Sequence, residues 1–337
     1  MKSLRITYAH AVLATVVLTW VLIVVGAATR VYDAGMSCPD WPHCYSLWWP
    51  WPESRVIAAG HPEGYMVNGQ HYAGWQVALE WGHRLLAALV GFALLGLLVA
   101  AKWQPRRVWA PLALAVVLLV VQIKLGAVTV WMSNLHWSVV IHLGNAMLFM
   151  GALFWLWWRA QVAPPMHRRP TPKIMMILSV LMPVCVWLTM LMGAAVSSTH
   201  SGGVCGGLFS CAGVWMPSPK VDVGQHIHMQ HRLFALLTFV LSVVLMVVAK
   251  RTAPHARAAA LQVHGLVLGQ VVLGILTLYS FGSFPEWYYL LSILHLGWGT
   301  VLWLGALNVG LEMRSYAAEA PQAPQPAKPT QPTKRSR

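Results

Sequence analysis

Eight runs of roughly twenty apolar residues govern what this chain can fold into, near 9–29, 76–101, 108–131, 136–158, 174–197, 226–249, 258–281 and 287–311. Each is long enough to cross a hydrocarbon core of about 30 Å as a helix. Lipid offers no partner to exposed backbone groups, so a spanning segment must bond its own N–H and C=O groups internally. With 58% hydrophobic and 9% charged residues among 337, the composition excludes an ordinary soluble domain. The expected fold is an all-α integral membrane protein with eight transmembrane helices, arranged as two pseudo-symmetric four-helix bundles.

The formal charge of +14 would suit a nucleic-acid partner if it formed a patch, but it is distributed by topology instead. With the N-terminus inside, 17 Lys and Arg fall on cytoplasmic segments. Only Arg30, Arg55 and Lys220 fall outside, and Arg84, Lys124 and Arg232 lie within helices. That asymmetry sets the orientation by the positive-inside rule and places both termini in the cytoplasm. Nucleic acid is not expected as a partner; membrane lipid is. Residues 313–337, rich in Pro, Gln, Ala and Lys, read as a disordered cytoplasmic tail.

The plan of the chain occurs twice. "GAATR" at 26–30 is echoed by "GAAVS" at 193–197, and Cys38 and Cys44 by Cys205 and Cys211, at an offset of 167. "EWGHRLLA" at 80–87 answers "HMQHRLFA" at 228–235, and "QIKLGAVTV" at 122–130 answers "QVVLGILTL" at 270–278, both at 148. "IHLGNA" at 141–146 and "LHLGWG" at 294–299 pair at 153. The first outer loop is therefore 19 residues longer than its counterpart. The expected units are 1–160 and 161–312, related by a parallel repeat. The first run follows Lys2 and Arg5 as a signal peptide would. Its end nevertheless has a counterpart deep in the chain, so it is read as a retained helix.

Each cysteine pair is spaced by six in a long outer loop, where an oxidising compartment makes disulfides the natural reading; free thiols are the plainer alternative. Cys185, inside the fifth run, reads as a small core residue. Each unit also keeps two histidines on its second and fourth helices, His83 and His142, then His231 and His295. All four lie roughly 8–12 Å below the outer boundary at 1.5 Å per residue. One imidazole from each of two facing helices suits axial ligation of haem iron, whereas zinc asks for three or four ligands. Gly82, Gly126, Gly144, Gly274 and Gly297 are expected to leave room for a macrocycle, although small residues are common at membrane helix contacts. Arg84 and Arg232 are candidate propionate contacts or interfacial snorkelling cations.

The units differ at the position three residues before the first histidine of each. Glu80 stands where the second unit has His228, three residues before a histidine and so on the same helix face. It either serves chemistry beside one metal site or pairs with Arg84 four residues on. The "SLWWPWPES" segment at 46–54 reads as an aromatic belt in preference to a lid. No role is assigned to Lys124, His10, His136 or His200.

Together, "SCPDWPHC" at 37–44, "EWGHR" at 80–84 and the duplicated histidine quartet resemble the bacterial haem A synthase family, over nearly the whole chain to about 312. The resemblance implies an oxidoreductase of the bacterial inner membrane that oxidises haem O to haem A for terminal oxidases. It implies that His83 and His142 hold the substrate haem O, that His231 and His295 ligate a haem b cofactor, and that Glu80 is the catalytic carboxylate. It also implies disulfides Cys38–Cys44 and Cys205–Cys211. His226 and His228 depart from the pattern and compete with His231 for the ligand role. Haem O synthase and oxidase assembly factors are expected partners by pathway logic. The rival readings are a bis-haem b electron carrier, which needs no special carboxylate, and a transporter with intramembrane ionisable residues.

Overall fold

The computed structural model describes residues 2–161 and 172–317. Most of the expected tail, 318–337, and Arg168 and Arg169, expected on the cytoplasmic side, lie outside the described residues. In chain order the elements are α1 (Lys2–Val31), α2 (Glu53–Ala58), β1 (Met66–Val67), β2 (Gln70–His71), α3 (Gly74–Ala100), α4 (Trp109–Trp131) and α5 (His136–Ala160). They continue with α6 (Lys173–Ser198), α7 (Val223–Thr252), α8 (Arg257–Ser280) and α9 (Pro285–Ala317). Eight of these helices are long and apolar enough to cross a membrane, from Thr7–Val31 to Pro285–Arg314. They coincide with the eight apolar runs, each overrunning its hydrophobic core by a few residues, and the protein is a multi-pass membrane protein. The last helix continues to Ala317, so the first residues assigned to the tail are helical.

Inside these helices the few hydroxyls bond back to their own turn. Thr15 donates to Ala11 O at 2.9 Å, Thr19 to Thr15 O at 2.8 Å and Thr277 to Leu273 O at 2.8 Å. An unpaired hydroxyl in an apolar medium costs kilocalories, and this local bond removes that cost without a neighbour. The bundle is built from antiparallel pairs. α3 packs on α1, α4 on α5, α7 on α6 and α8 on α9, while α1 meets α5 and α6 meets α9. Between the two sets, α1 lies against α9 and α5 against α6. The largest fully buried side chains include Met147, Met150, Leu153, Leu156, Met175, Met182 and Met313, so α5, α6 and α9 supply much of the shared core.

Two tryptophans fasten this contact reciprocally. Trp20 on α1 donates to Gly297 O on α9 at 3.0 Å, and Trp187 on α6 donates to Gly144 O on α5 at 3.1 Å. A Cβ at Gly297 would meet Trp20 and Val24, and one at Gly144 would meet Trp187 and Leu191. Both glycines thus serve close helix approach. This corrects their expected role as walls of a macrocycle pocket: a tryptophan indole already occupies the room they leave.

The loops that follow α1 and α6 carry the rest of the order. Residues 32–73 enclose a small core of Cys38, Cys44, Tyr45, Val56, Tyr65, Val67, Tyr72 and Val77, edged by Trp51 and Trp81. Disulfides join Cys38 to Cys44 and Cys205 to Cys211, with Cα separations of 4.7 and 4.8 Å. Each disulfide is followed by the same bridge, Cys44 with Leu47 and Cys211 with Val214. Trp81 Nε1 donates to Trp48 O at 2.8 Å, and Trp49, Trp51 and Trp81 form an edge-to-face trio. The Trp-rich segment is therefore folded against the start of α3, with Trp48 and Trp49 still exposed.

Trp20→Phe and Trp187→Phe keep the ring and remove one hydrogen bond. Each is expected to lower stability by about 1 kcal/mol, with similar losses for the two variants in thermal unfolding in detergent. A loss confined to one would show that the contacts are not equivalent.

Candidate functional site

The four repeated histidines lie on α3, α5, α7 and α9, and each ring rests on a glycine of a neighbouring helix. A Cβ at Gly26 would come within 2.9 Å of His83 Cε1, and one at Gly193 within 3.1 Å of His231 Cε1. A Cβ at Gly126 would lie 3.5 Å from His142 Cε1, and one at Gly274 3.1 Å from His295 Cε1. Gly126 and Gly274 thus seat imidazoles, while Gly82 faces open space, with nothing within 4 Å of a Cβ placed there.

Backbone carbonyls and glutamines set the ring orientations. His231 Nδ1 lies 3.1 Å from Thr189 O. The corresponding Leu22 carbonyl faces His83, outside full hydrogen-bond geometry with Nδ1. The Gln122 amide nitrogen sits 3.1 Å from His142 Nε2, and that of Gln270 sits 3.1 Å from His295 Nε2. Asn145 Nδ2 donates to Gln122 Oε1 at 2.7 Å and to Leu118 O at 3.0 Å. The His231 and His295 rings are 6.4 Å apart between centroids at 78°. Two imidazoles on opposite sides of one metal, with metal–nitrogen bonds of about 2 Å, need a separation of about 6 Å. His295 Nδ1 and Gln270 Oε1 are buried without a hydrogen-bond partner, polar atoms left over for something else. Among the described residues no three His, Cys, Asp or Glu side chains cluster as a metal site. Two imidazoles in each half are the candidate donors, a set that suits a metal bringing its own equatorial ligands.

Glu80 is buried at the mouth of α3, and both of its oxygens are engaged. Oε2 accepts from Cys38 N at 2.9 Å and from Ser37 Oγ at 3.1 Å; Oε1 accepts from Arg84 at 2.6 Å. Arg84 donates also to Cys38 O at 3.3 Å, to Asp40 O at 2.5 Å and to His43 O. Arg232 repeats the clasp on Cys205 O at 3.0 Å, Leu208 O at 3.0 Å and Gly207 O. Both arginines, expected to reach propionates or to snorkel, hold the carbonyls of the disulfide loops. At the position matching Glu80, His228 Nδ1 lies 2.7 Å from Ser201 O. His226 Nδ1 lies 2.8 Å from Pro217 O. Both extra histidines are thus spent on loop backbone, leaving His231 as the one that faces His295.

Two further histidines join the two sets of helices. His136 Nδ1 is 2.7 Å from Ser198 O, and His200 Nε2 is 2.9 Å from Arg30. Lys124 is exposed on α4. Burial pushes the phenols of Tyr45, Tyr65 and Tyr72 upward, with the Glu80 charge adding to the shift at Tyr45 and Tyr72 and that of Glu53 adding at Tyr45 and Tyr65. Sequence reasoning overlooked Gly26, Gly193, Gln122 and Gln270 as partners of the histidines. All four sit inside the repeated "GAA" and "QxxLG" strings, so the signal was present without a reason to read it.

Comparison with known proteins bears on the same residues. The sequence matches the family COX15-CtaA, described as cytochrome oxidase assembly protein, over residues 9–307. It is 27% identical over 296 residues to a protein of Shewanella oneidensis named Heme A synthase, covering 77% of this chain and 84% of the relative. It is 27% identical over 314 residues to one of the same name from Methylobacterium radiotolerans, covering 81% of each. A Methylobacterium sp. (strain 4-46) protein, also named Heme A synthase, is 28% identical over 290 residues, covering 76% of this chain and 79% of the relative. With the match spanning both histidine pairs and both disulfide loops, the chain belongs to the COX15-CtaA family of cytochrome oxidase assembly proteins.

Proposed function

We propose that this protein is a haem A synthase, an inner-membrane oxidoreductase that converts the C8 methyl of haem O to a formyl group, with both sites toward the outer face. The observation that carries the reading is the fourfold seat, an imidazole laid on a glycine at each of four repeated positions. α1 and α3–α5 form the substrate half, where His83 and His142 hold haem O. α6–α9 form the cofactor half, where His231 and His295 hold haem b. The 6.4 Å ring separation supports that second assignment. Haem b supplies one-electron chemistry when bound, its potential set by axial ligation and burial. Thr189 O beside His231 Nδ1 fixes that ring with Nε2 presented to the site.

Turning a methyl into a formyl group removes four electrons from the carbon, by two hydroxylations and loss of water. The chain contributes Glu80. Its lone pairs already accept from Arg84, Cys38 N–H and Ser37, which favours a fixed negative charge over a carboxylate that abstracts protons. A fixed charge stabilises positive charge developing at the oxidised carbon without reorganising. Arg84 and the Cys38–Cys44 loop hold that carboxylate in place, and the neighbouring Trp81 packs edge-to-face on Trp49 and Trp51. In the bis-haem b carrier reading this carboxylate serves only to anchor the Cys38–Cys44 loop through Arg84, Cys38 N–H and Ser37.

Glu80→Gln is expected to keep haem b and lower haem A formation about 10²–10³-fold; mass-resolved chromatography of extracted haems from cells that make haem O checks it. Normal haem A output would remove Glu80 from the chemistry. Gly193→Val, by pushing a side chain into His231, is expected to abolish the b-type spectrum. Gly26→Val is expected to spare that spectrum and lose haem O and haem A from the extract.

A further inference from the structure

The two sets of helices close differently. α7 and α8 pack along one another, but α3 and α4 scarcely touch, each leaning on a single inner partner, α1 or α5. Residue chemistry explains the difference. On the closed side Ser242 Oγ lies 3.0 Å from His264 Nδ1, and the Phe239 ring sits 5.8 Å from that imidazole. Shifted by the repeat offset of 148, these positions are Leu94, Val116 and Gly91, which supply neither the hydrogen bond nor the ring. A Cβ at Gly91 would have nothing within 4 Å, and the same holds at Gly82 and Gly96 along α3. From the level of His83 inward, Leu85–Ala100 on α3 and Trp109–Val121 on α4 contain no charged, amide or hydroxyl side chain. Phe92, Leu95, Val117 and Val120 are exposed there.

We propose that the seam between α3 and α4 is a lateral opening to the bilayer that admits the substrate haem and houses its isoprenoid tail. The seam between α7 and α8 is stitched shut to retain the resident haem. The proposal rests on the reading of haem O as substrate. An all-apolar cleft beginning beside His83 and His142 and open to lipid fits a long hydrocarbon chain attached to a macrocycle held by those two histidines. It offers nothing to a polar headgroup or to water. A resident cofactor without such a tail needs no equivalent opening, and the sequence closes it with three side chains.

The test uses the full protein in lipid nanodiscs. Gly91→Phe places in α3 the residue that α7 carries. It is expected to lower the rate of haem O conversion about tenfold or more by filling the cleft. Resident haem b and the equilibrium binding of added tailless ferric haem to the first site are expected to stay unchanged. Unchanged haem O conversion would overturn the proposal, and so would equal loss of tailless haem. A second measurement avoids substitution: haem O bearing a diazirine at the end of its tail is expected to label 85–101 and 109–121 on illumination. Label confined to other segments would overturn the assignment. Failure of the wild type to bind haem O would remove the substrate reading itself, and the tail assignment with it.

Discussion

An imidazole can lie flat against a neighbouring helix only where that helix has no side chain, and the arrangement depends on this being met four times. At Gly26, Gly126, Gly193 and Gly274 an added Cβ would lie between 2.9 and 3.5 Å from an imidazole carbon. The helix bearing each histidine is thereby drawn against the helix bearing its glycine, α3 on α1, α5 on α4, α7 on α6 and α9 on α8. These are the four antiparallel pairs from which the bundle is built. The contact that positions a ligand is thus the same contact that pairs the helices. Moving a histidine by one residue would lose both.

The loops are held to this frame by charge as well as by apolar packing. Arg84 and Arg232 stand one residue beyond a site histidine and reach outward to carbonyls of a disulfide-closed turn. Guanidinium donors are well matched to several carbonyl oxygens at once, and hydrogen bonds to a charged group are stronger than neutral ones. The first clasp also includes Glu80, which adds an acceptor on the Arg84 side and draws Cys38 N–H and Ser37 inward. The longer first loop then packs its own small core above that carboxylate.

Much of this was legible in the sequence. Membrane helices are set by length and apolarity, which are local properties, and all eight runs are helices in the structure. The disulfides followed from spacing and compartment, and both are formed. The histidine quartet stood out because repetition marks positions that composition cannot. Partner choice across helices was not legible. Arg84 and Arg232 look alike whether they face a propionate or a carbonyl, and Gly144 and Gly297 look alike whether they border a ligand or an indole. Those distinctions depend on which helix lies opposite, a long-range outcome of packing that no local pattern encodes.

The Trp20 and Trp187 hydrogen bonds have a mechanical consequence. They lock α1 to α9 and α5 to α6, so the inner four helices form a rigid keel with a shared methionine-rich core. α3 and α4 are outriggers, each attached to that keel along one side. Segments with fewer buried contacts open at lower free energy than the frame that carries them. Breathing of the outer pair can therefore proceed without disturbing the geometry of His295, carried by the keel itself, and of His231 on α7 beyond it.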